Sequence, residues 1–337
     1  MTASVSASKL LIVIGITGRQ GSSVANAFLE LPDWRIRGVS RDTSSPAAQD
    51  WISKGVEIVK GDLNDVNSLE NAFRGATAIF GVIDFYSQAA NPVSIAGAQE
   101  AGITINEYAR NIETNLAMNI AIAASSPAVS ATLTHFVFSS LSDTKRWSRG
   151  KYTWNFHFDG KADAVNRIKA EMPDLAAKLS IVQVGAYTSN WKWGLGRPQK
   201  LADGSFVVQI PDAGEIKIPW TFVERDTGVY VKALLENAPG KNILAFSETA
   251  THREFWTLWA DTRNVKLDIQ ESSVEELVKP LPHFLRRQFQ ESMMYVAEFG
   301  YTGGDPDVRY TLQDLSPGAK TTTLKEYMEV EDWSSLV

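Results

Sequence analysis

The sequence has no cysteine and only four histidines among its 337 residues. Without cysteine, the chain cannot form disulfides, use a catalytic thiolate or bind zinc through sulfur. The four histidines include no H-E-x-x-H pair, which is the helical pattern of many zinc enzymes. We therefore expect no metal site.

The chain also lacks an excess of basic residues and any long apolar run. Its 33 Lys and Arg face 39 Asp and Glu, which gives a net charge of -6. A mildly acidic chain has no general field that attracts nucleic acid or anionic membranes. Its apolar runs, such as Leu10–Ile14, are far shorter than the ~20 residues of a membrane span, and MTASVSAS has no secretory pattern. We expect no direct nucleic-acid binding, no membrane partner and a cytoplasmic location, with nuclear entry and the choice between monomer and homodimer left open.

The composition that remains, 44% hydrophobic and 21% charged, is typical of a globular protein with a sizeable core. Up to about residue 185, strand-length apolar runs alternate with helical patterns. The predicted strands are 10–14, 34–39, 56–60, 77–83, 134–138 and 179–184, and the predicted helices are 22–31, 46–53, 66–73, 103–125 and 158–170. This alternation predicts an α/β fold with a Rossmann-type doubly wound parallel sheet.

The regular alternation of strands and helices ends after Gly185, where glycine and proline become frequent. We predict a disordered N-terminus over 1–8, a Rossmann domain over 9–185, and a smaller α+β C-terminal lobe over 186–330 that binds the substrate. Within that lobe, 221–246 is predicted to return to the Rossmann core, because a helical pattern is followed there by a strand-like run.

A glycine-rich turn follows the first strand. Its pattern is G-x-x-G-x-x-G, formed by Gly15, Gly18 and Gly21 with Thr17, Arg19 and Gln20 between them. In this position the glycines allow a sharp turn, a close approach of backbone to a pyrophosphate, and tight packing of the next helix. The helix N-terminus then offers free N–H groups to phosphate. A mere tight turn is the alternative.

The second predicted strand is followed by Arg41. An acidic residue here binds the ribose 2′-hydroxyl of NAD, whereas an arginine accommodates the 2′-phosphate of NADP. Arg41 therefore favours NADP(H) as the cofactor, although a solvated surface arginine is the alternative. After the third strand, Asp62 and Leu63 are candidates for the adenine side, and Asp62 is also placed to cap the next helix.

Four segments together resemble the NmrA-like branch of the short-chain dehydrogenase/reductase superfamily. They are GITGRQGSSV, GVEIVKGDLNDVNSLENAFRGATAIFGV, HFVFSSL and HFDGKADAVNRI, in the order and spacing of that family. The resemblance implies that Lys161 bonds the nicotinamide ribose. It places further cofactor contacts at Ile83 and Asp84 after the fourth strand, Ser139 and Ser140 after the fifth, and Gly185, Tyr187 and Asn190 after the sixth.

One residue departs from the pattern of the wider superfamily. The usual Tyr-x-x-x-Lys, in which tyrosine is the general acid, is His157-x-x-x-Lys161 here. Residues four apart share a helix face, so His157 is a candidate proton donor with an ordinary pKa near 6.5; packing or capping is its alternative role. Tyr152 and Tyr187 are other candidate donors.

Ten tryptophans are many for this length. Several lie close in sequence to the carboxyl ends of the predicted strands, the edge at which open α/β sheets bind ligands. The candidates for an aromatic substrate pocket are Tyr152, Trp154, Trp191, Trp193 and Trp220. Such walls suit a bulky, flat, apolar ligand. The alternatives are a core between the lobes and a dimer interface.

Two functions follow from these patterns. The first is an NADP(H)-dependent oxidoreductase acting on an aromatic or polycyclic natural product, for which an indole alkaloid is one option. The resemblance implies a role in secondary metabolism, with or without a Diels–Alder-like ring closure coupled to the redox step. The second is a regulatory sensor of NADP(H) without turnover. An apolar cavity facing the nicotinamide would favour the enzyme.

Overall fold

The computed structural model describes residues 8–193, 196–212 and 216–336. Within these ranges the strands are β1 Lys9–Ile14, β2 Trp34–Ser40, β3 Glu57–Lys60, β4 Ala78–Gly81, β5 His135–Ser140, β6 Leu179–Val184, β7 Ala186–Tyr187, β8 Gln199–Lys200, β9 Phe206–Pro211, β10 Ile218–Thr221, β11 Asn242–Ala245, β12 Glu248–Ala250, β13 Leu267–Ser272 and β14 Val308–Tyr310.

The helices surround these strands. They are α1 Arg19–Leu29, α2 Pro46–Ser53, α3 Val66–Phe73, α4 Phe85–Ala89, α5 Pro92–Ala101, α6 Ile105–Ser125, α7 Pro127–Ser130, α8 Thr144–Trp147, α9 Phe156–Glu171, α10 Pro173–Ala176, α11 Val223–Leu235, α12 His252–Arg263, α13 Val274–Val278, α14 His283–Phe299, α15 Leu312–Leu315 and α16 Leu324–Val330, with a 3-10 helix at Thr188–Trp193.

Eight strands form one parallel sheet in the order β14-β11-β6-β5-β4-β1-β2-β3. The run β3-β2-β1-β4-β5-β6 is the Rossmann order, so the predicted fold class is confirmed. The strand order reverses between β1 and β4. Open α/β sheets bind ligands at such a point, beyond the carboxyl ends of the strands.

Helices cover both faces of this sheet, which explains the continuous apolar runs of its central strands. In β1, the five residues from Leu10 to Ile14 are at most 3% exposed. On one face α1 packs on α11, where Gly228 donates its N–H to Ser23 Oγ at 2.9 Å. A Cβ at Gly228 would lie 2.3 Å from the Ser23 carbonyl oxygen, so glycine sets the spacing of these two helices.

The C-terminal half divides between the main sheet and a second lobe. Helix α11 and strand β11 join the Rossmann core, as do β14 and α15. The second lobe contains two three-stranded sheets, β12-β10-β7 and β13-β9-β8. Its core is rich in aromatic residues, including Phe206, Trp259 and Tyr327.

Several element boundaries differ from the prediction in ways that affect the ligand edge. Helix α1 begins at Arg19 rather than at residue 22, because Gly18 already has the extended backbone of an N-cap. Helix α9 begins at Phe156, so His157 lies in its first turn. The short helices α4 and α5 were not predicted. Of the predicted disordered segment 1–8, residues 1–7 lie outside the described part of the chain. No helix in the ranges above is long and apolar enough to span a membrane.

Candidate functional site

The glycine-rich turn lies between β1 and α1, at the carboxyl edge of the sheet. Gly15 has φ +67°, and its carbonyl oxygen accepts from the Gly18 N–H at 2.8 Å. A Cβ at Gly21 would lie 2.1 Å from the Gly15 oxygen, so the helix passes the turn only with glycine there. No side chain caps α1, and its first turn carries no acidic residue. The first N–H groups of α1 are therefore suited to bind an anion.

Arg41 follows β2 at the same edge and is exposed. It lies near Asp62, which follows β3. Hydrogen bonds from the backbone and side chain of Asn64 lower the pKa of Asp62, and the positive charges of Arg41 and Lys60 add to this effect. Asp65, not Asp62, caps α3. A guanidinium and an ionised carboxylate thus stand side by side at the predicted adenosine end.

Two residues of the turn reach the loop after β6. Arg19 Nη1 donates to Ser189 Oγ at 3.0 Å, and Gln20 Nε2 donates to the Tyr187 hydroxyl at 2.7 Å. Arg19 Nε also lies 3.6 Å from Glu224 Oε1. Burial raises the pKa of the Tyr187 phenol, so the hydroxyl stays protonated at neutral pH. The turn and the loop after β6 are therefore in direct contact at this edge of the sheet.

Lys161 lies on α9 in a buried ion pair. Its ammonium donates to Glu113 Oε1 on α6 and to the His157 carbonyl oxygen at 3.2 Å. Lys161 is 8% exposed and Glu113 is fully buried. Burial raises the pKa of Glu113, and the Lys161 charge together with its hydrogen bond acts in the opposite direction and favours the ionised carboxylate.

The ring of His157 belongs to an aromatic group that we call the histidine cluster, which consists of Phe85, Tyr86, His157, Phe158 and Phe289. Its ring centroid lies 5.5 Å from that of Tyr86 and 6.1 Å from that of Phe289, which stacks on it at 27°. Burial, aided by the Lys161 charge, lowers the pKa of His157 to about 3. The imidazole is therefore neutral at pH 7, and the ordinary histidine pKa assumed from the sequence does not apply.

The other predicted cofactor contacts surround this edge. Ser139 and Ser140 are buried at the end of β5, and Ile83 is buried after β4. Asp84 is exposed and caps α4 by accepting from the Tyr86 N–H at 3.0 Å. Gly185 serves close packing, because a Cβ there would lie 2.2 Å from the Pro219 carbonyl oxygen.

Three further predicted contacts differ in exposure. Thr17 and Asn190 are exposed. Leu63 is half-buried, and its carbonyl oxygen accepts from Asn119 Nδ2 at 2.8 Å. Thr17 and Asn190 are thus accessible from solvent, whereas the backbone of Leu63 is hydrogen-bonded to Asn119 on α6.

The five predicted pocket aromatics separate into different environments. Trp191 stacks on Trp333 at 4.6 Å, and Trp220 packs on Phe255 at 4.5 Å, both inside the core of the second lobe. Tyr152 is also in that core, with its hydroxyl donating to Glu298 at 2.8 Å. Trp193 is 70% exposed. Only Trp154 packs beside Phe85 and Tyr86 of the histidine cluster.

Four site residues were not identified from the sequence. Glu113 carried a usable signal, because it interrupts the buried face of α6 between Ala109 and Leu116. Tyr86 and Tyr301 carried none; Tyr301 donates to the Val184 carbonyl oxygen at 3.0 Å, next to the β6 loop. Phe289 reaches the cluster from α14, and such a long-range contact leaves no local pattern.

Curated relatives share the NmrA-like description. An NmrA-like family domain-containing oxidoreductase of Aspergillus hancockii is 34% identical over 143 residues, which are 42% of this chain and 37% of that protein. A second, cpsB of Aspergillus campestris, is 26% identical over 265 residues, which are 73% of this chain and 70% of its own length. The match therefore spans little more than a third of the first relative.

Solved structures share the fold. NmrA, a negative transcriptional regulator solved in complex with NAD, superposes with a TM-score of 0.70 at 19% identity, covering 98% of this chain and 97% of its own. An NADPH-dependent quinone oxidoreductase from Escherichia coli, solved with NADPH, gives a TM-score of 0.66 at 18% identity and covers 95% and 98%. The NmrA-like family itself matches residues 7–333. The chain belongs to the NmrA-like family.

Proposed function

We propose that the protein is an NADP(H)-dependent oxidoreductase that acts on a bulky aromatic or polycyclic small molecule. The observation that carries the proposal is the position of the buried Lys161 ammonium beside the histidine cluster. A ribose-binding cation and a wall of aromatic rings then share one edge of a Rossmann sheet. The family's curated members described as oxidoreductases support the reaction class.

The residues at the edge fit a dinucleotide in three separate ways. The uncapped first turn of α1 would take the pyrophosphate, because no side chain caps its N–H groups and its first turn has no acidic residue. Arg41 would pair with a 2′-phosphate, which favours NADP(H) over NAD(H). Lys161 would donate to a ribose hydroxyl. The quinone oxidoreductase with the same fold binds NADPH, which agrees with this assignment.

When bound, the nicotinamide supplies or accepts a hydride at its C4. The chain's contribution is to position that carbon against the substrate and to exclude water. Phe289 and Tyr86 stack at 6.0 Å and would form one wall for a flat substrate. Trp154, held under the Arg287 guanidinium at 4.3 Å, would extend that wall.

Proton supply constrains the substrate. His157 is neutral, and burial together with the Asp84 carboxylate raises the pKa of Tyr86, so neither is a strong acid at pH 7. Protonated imines and cationic heteroaromatic rings accept hydride without an acid on the protein, because the substrate already carries the positive charge that the hydride neutralises. We therefore favour such substrates, including indole-type ones, and the pocket would also hold a reactive conformer for any coupled ring closure.

Transfer of deuteride tests the proposal. The protein is incubated with NADPH deuterated at C4 and with fungal extracts or a panel of polycyclic imines and electron-poor heteroaromatic compounds, and products are examined by mass spectrometry. Deuterium in a carbon-bound position of a product, absent with Lys161→Met, is the expected result. No transfer to any substrate, with the dinucleotide bound, would leave only a binding role.

A sensor of NADP(H) without turnover is the second candidate. It is favoured by the replacement of the usual tyrosine with His157, and the negative transcriptional regulator NmrA has the same fold. A cofactor-bound crystal structure separates the two functions. An apolar cavity of several hundred Å³ next to the nicotinamide, as ligand pockets require, supports the enzyme, and packed side chains at that place support the sensor.

A further inference from the structure

Helices α6 and α9 enclose a charged pair that is almost removed from water. Glu113 has no exposed surface, and Lys161 is 8% exposed. A buried charge is unfavourable unless a partner compensates it. Each of these two residues therefore depends on the other to remain charged in the folded protein.

The helix contact is shaped around this carboxylate. A Cβ at Gly160 would lie 2.7 Å from Glu113 Oε2, so a larger residue there would have to displace the carboxylate. One residue further on α6, Thr114 Oγ1 donates to the Gly160 carbonyl oxygen at 2.9 Å. Glycine, threonine and glutamate thus fix the point on α9 from which Lys161 extends.

Two of the three N–H groups of the Lys161 ammonium have acceptors among the described residues. An ammonium has three N–H donors. Lys161 uses one on Glu113 and one on the His157 carbonyl oxygen, and in the described ranges no third acceptor is within hydrogen-bond distance. The third N–H of Lys161 therefore has no acceptor among the described residues. The second carboxylate oxygen of Glu113, Oε2, is buried without a hydrogen-bond partner.

We propose that Glu113 is a positioning residue for the cofactor: it holds the Lys161 ammonium charged and oriented so that its third N–H reaches a hydroxyl of the nicotinamide ribose. This inference rests on the proposed function, since it requires the dinucleotide to bind at this edge. Glu113 itself contacts Lys161 and not the cofactor, so its influence on binding must pass through Lys161.

A double-mutant cycle on the full-length chain tests that dependence. The dissociation constant for NADPH is measured by calorimetry for the wild type, Glu113→Gln, Lys161→Met and the double variant. Loss of one charge-assisted hydrogen bond corresponds to a weakening of about tenfold or more. We expect Glu113→Gln to weaken NADPH binding about tenfold when Lys161 is present. The same substitution should have no effect on NADPH binding in the Lys161→Met background.

A matched control breaks another ion pair between the same helices. Arg110 and Asp163 join α6 to α9 next to the Glu113–Lys161 pair. Asp163→Asn should change the NADPH dissociation constant by less than about twofold, within the range of surface pairs. If Glu113→Gln does not fold, Glu113→Asp replaces it in the cycle. Aspartate keeps the negative charge, but its side chain is one methylene shorter, so the carboxylate lies farther from the Lys161 ammonium.

The outcomes are distinct. Equal weakening by the Glu113 substitution in both Lys161 backgrounds, or no weakening in either, overturns the positioning role while wild-type binding of NADPH keeps the proposed function. Absence of NADPH binding by the wild-type protein overturns both.

Discussion

The Gln20 side-chain amide donates to the Tyr187 hydroxyl at 2.7 Å, joining two residues that are 167 positions apart in sequence. Gln20 is the second residue of α1 and belongs to the glycine-rich turn, and Tyr187 ends β7, which follows β6. The bond connects the predicted pyrophosphate site with the predicted nicotinamide site. It also uses one of the few polar groups buried at the start of α1.

Tyr187→Phe should therefore destabilise the folded chain. Gln20 is 9% exposed and its Oε1 already has no partner, so removing the hydroxyl leaves its amide without an acceptor as well. An unsatisfied buried group costs about 1–2 kcal/mol. Urea unfolding measures the loss. Tyr310→Phe is the matched control, because Tyr310 is also half-buried and its hydroxyl makes no hydrogen bond in the described chain; equal losses for both variants would contradict the role of the Gln20 bond.

Arg41→Asp should separate the two nicotinamide cofactors. Losing a guanidinium–phosphate contact and adding a carboxylate should weaken NADPH binding by about 30-fold or more, with little loss for NADH. Calorimetry with both dinucleotides measures the ratio. Arg35→Asp, near the start of the strand that Arg41 follows and also exposed, introduces an equal charge change away from the carboxyl edge and should leave the ratio unchanged. Parallel losses of both cofactors in Arg41→Asp would refute the assignment of the 2′-phosphate site.

Phe289→Ala tests where the substrate binds. The ring stacks on His157 and Tyr86, so its loss should lower kcat/KM for the substrate found by deuteride transfer by about tenfold, since an aromatic wall contributes at least one stacking contact. The NADPH dissociation constant should stay within about twofold. Trp259→Phe, in the fully buried core of the second lobe, should cost stability alone. Unchanged kinetics in Phe289→Ala would place the substrate elsewhere.

Asp159 should make stability depend on pH. Burial raises the pKa of its carboxyl from 3.8 to about 7. The pKa of this carboxyl is thus higher in the folded chain than in the unfolded chain. Its contribution to stability is therefore largest below about pH 4 and is lost as the pH rises through about 7. Asp159→Asn keeps an acceptor for the Lys145 N–H and does not titrate. From pH 4.5 to pH 8, the unfolding free energy of the variant should therefore gain about 2–4 kcal/mol relative to the wild type. A difference that does not change with pH would contradict the burial of this charge.

Much of the fold was predictable because its cause is local. Doubly covered strands read as continuous apolar runs, as in Leu10–Ile14 and Leu179–Val184, and the glycine turn has a fixed spacing. The start of α1 was misplaced by three residues because the apolar helical spacing begins only at Val24, whereas the true N-cap is Gly18. A glycine cap gives no side-chain pattern to identify it.

The position of the residues predicted for the cofactor follows from local sequence spacing, whereas the grouping of the aromatic residues around His157 does not. Gly21, Arg41 and Lys161 follow strands or sit on a helix face, so sequence spacing brings them to one edge. The histidine cluster depends on Phe289, which α14 delivers from 132 residues beyond His157. Trp191 and Trp220 are near that edge in sequence, but tertiary packing places them inside the second lobe.

Binding of a dinucleotide at the turn between Gly15 and Gly21 underlies both the proposed function and the proposed role of Glu113. The direct measurement is calorimetric titration of purified protein, stripped of carried-over nucleotide, with NADPH and NADH. Saturable binding of NADPH with one site per chain, tighter than binding of NADH, is the predicted result. No measurable binding of NADPH or NADP⁺ would contradict the central claim.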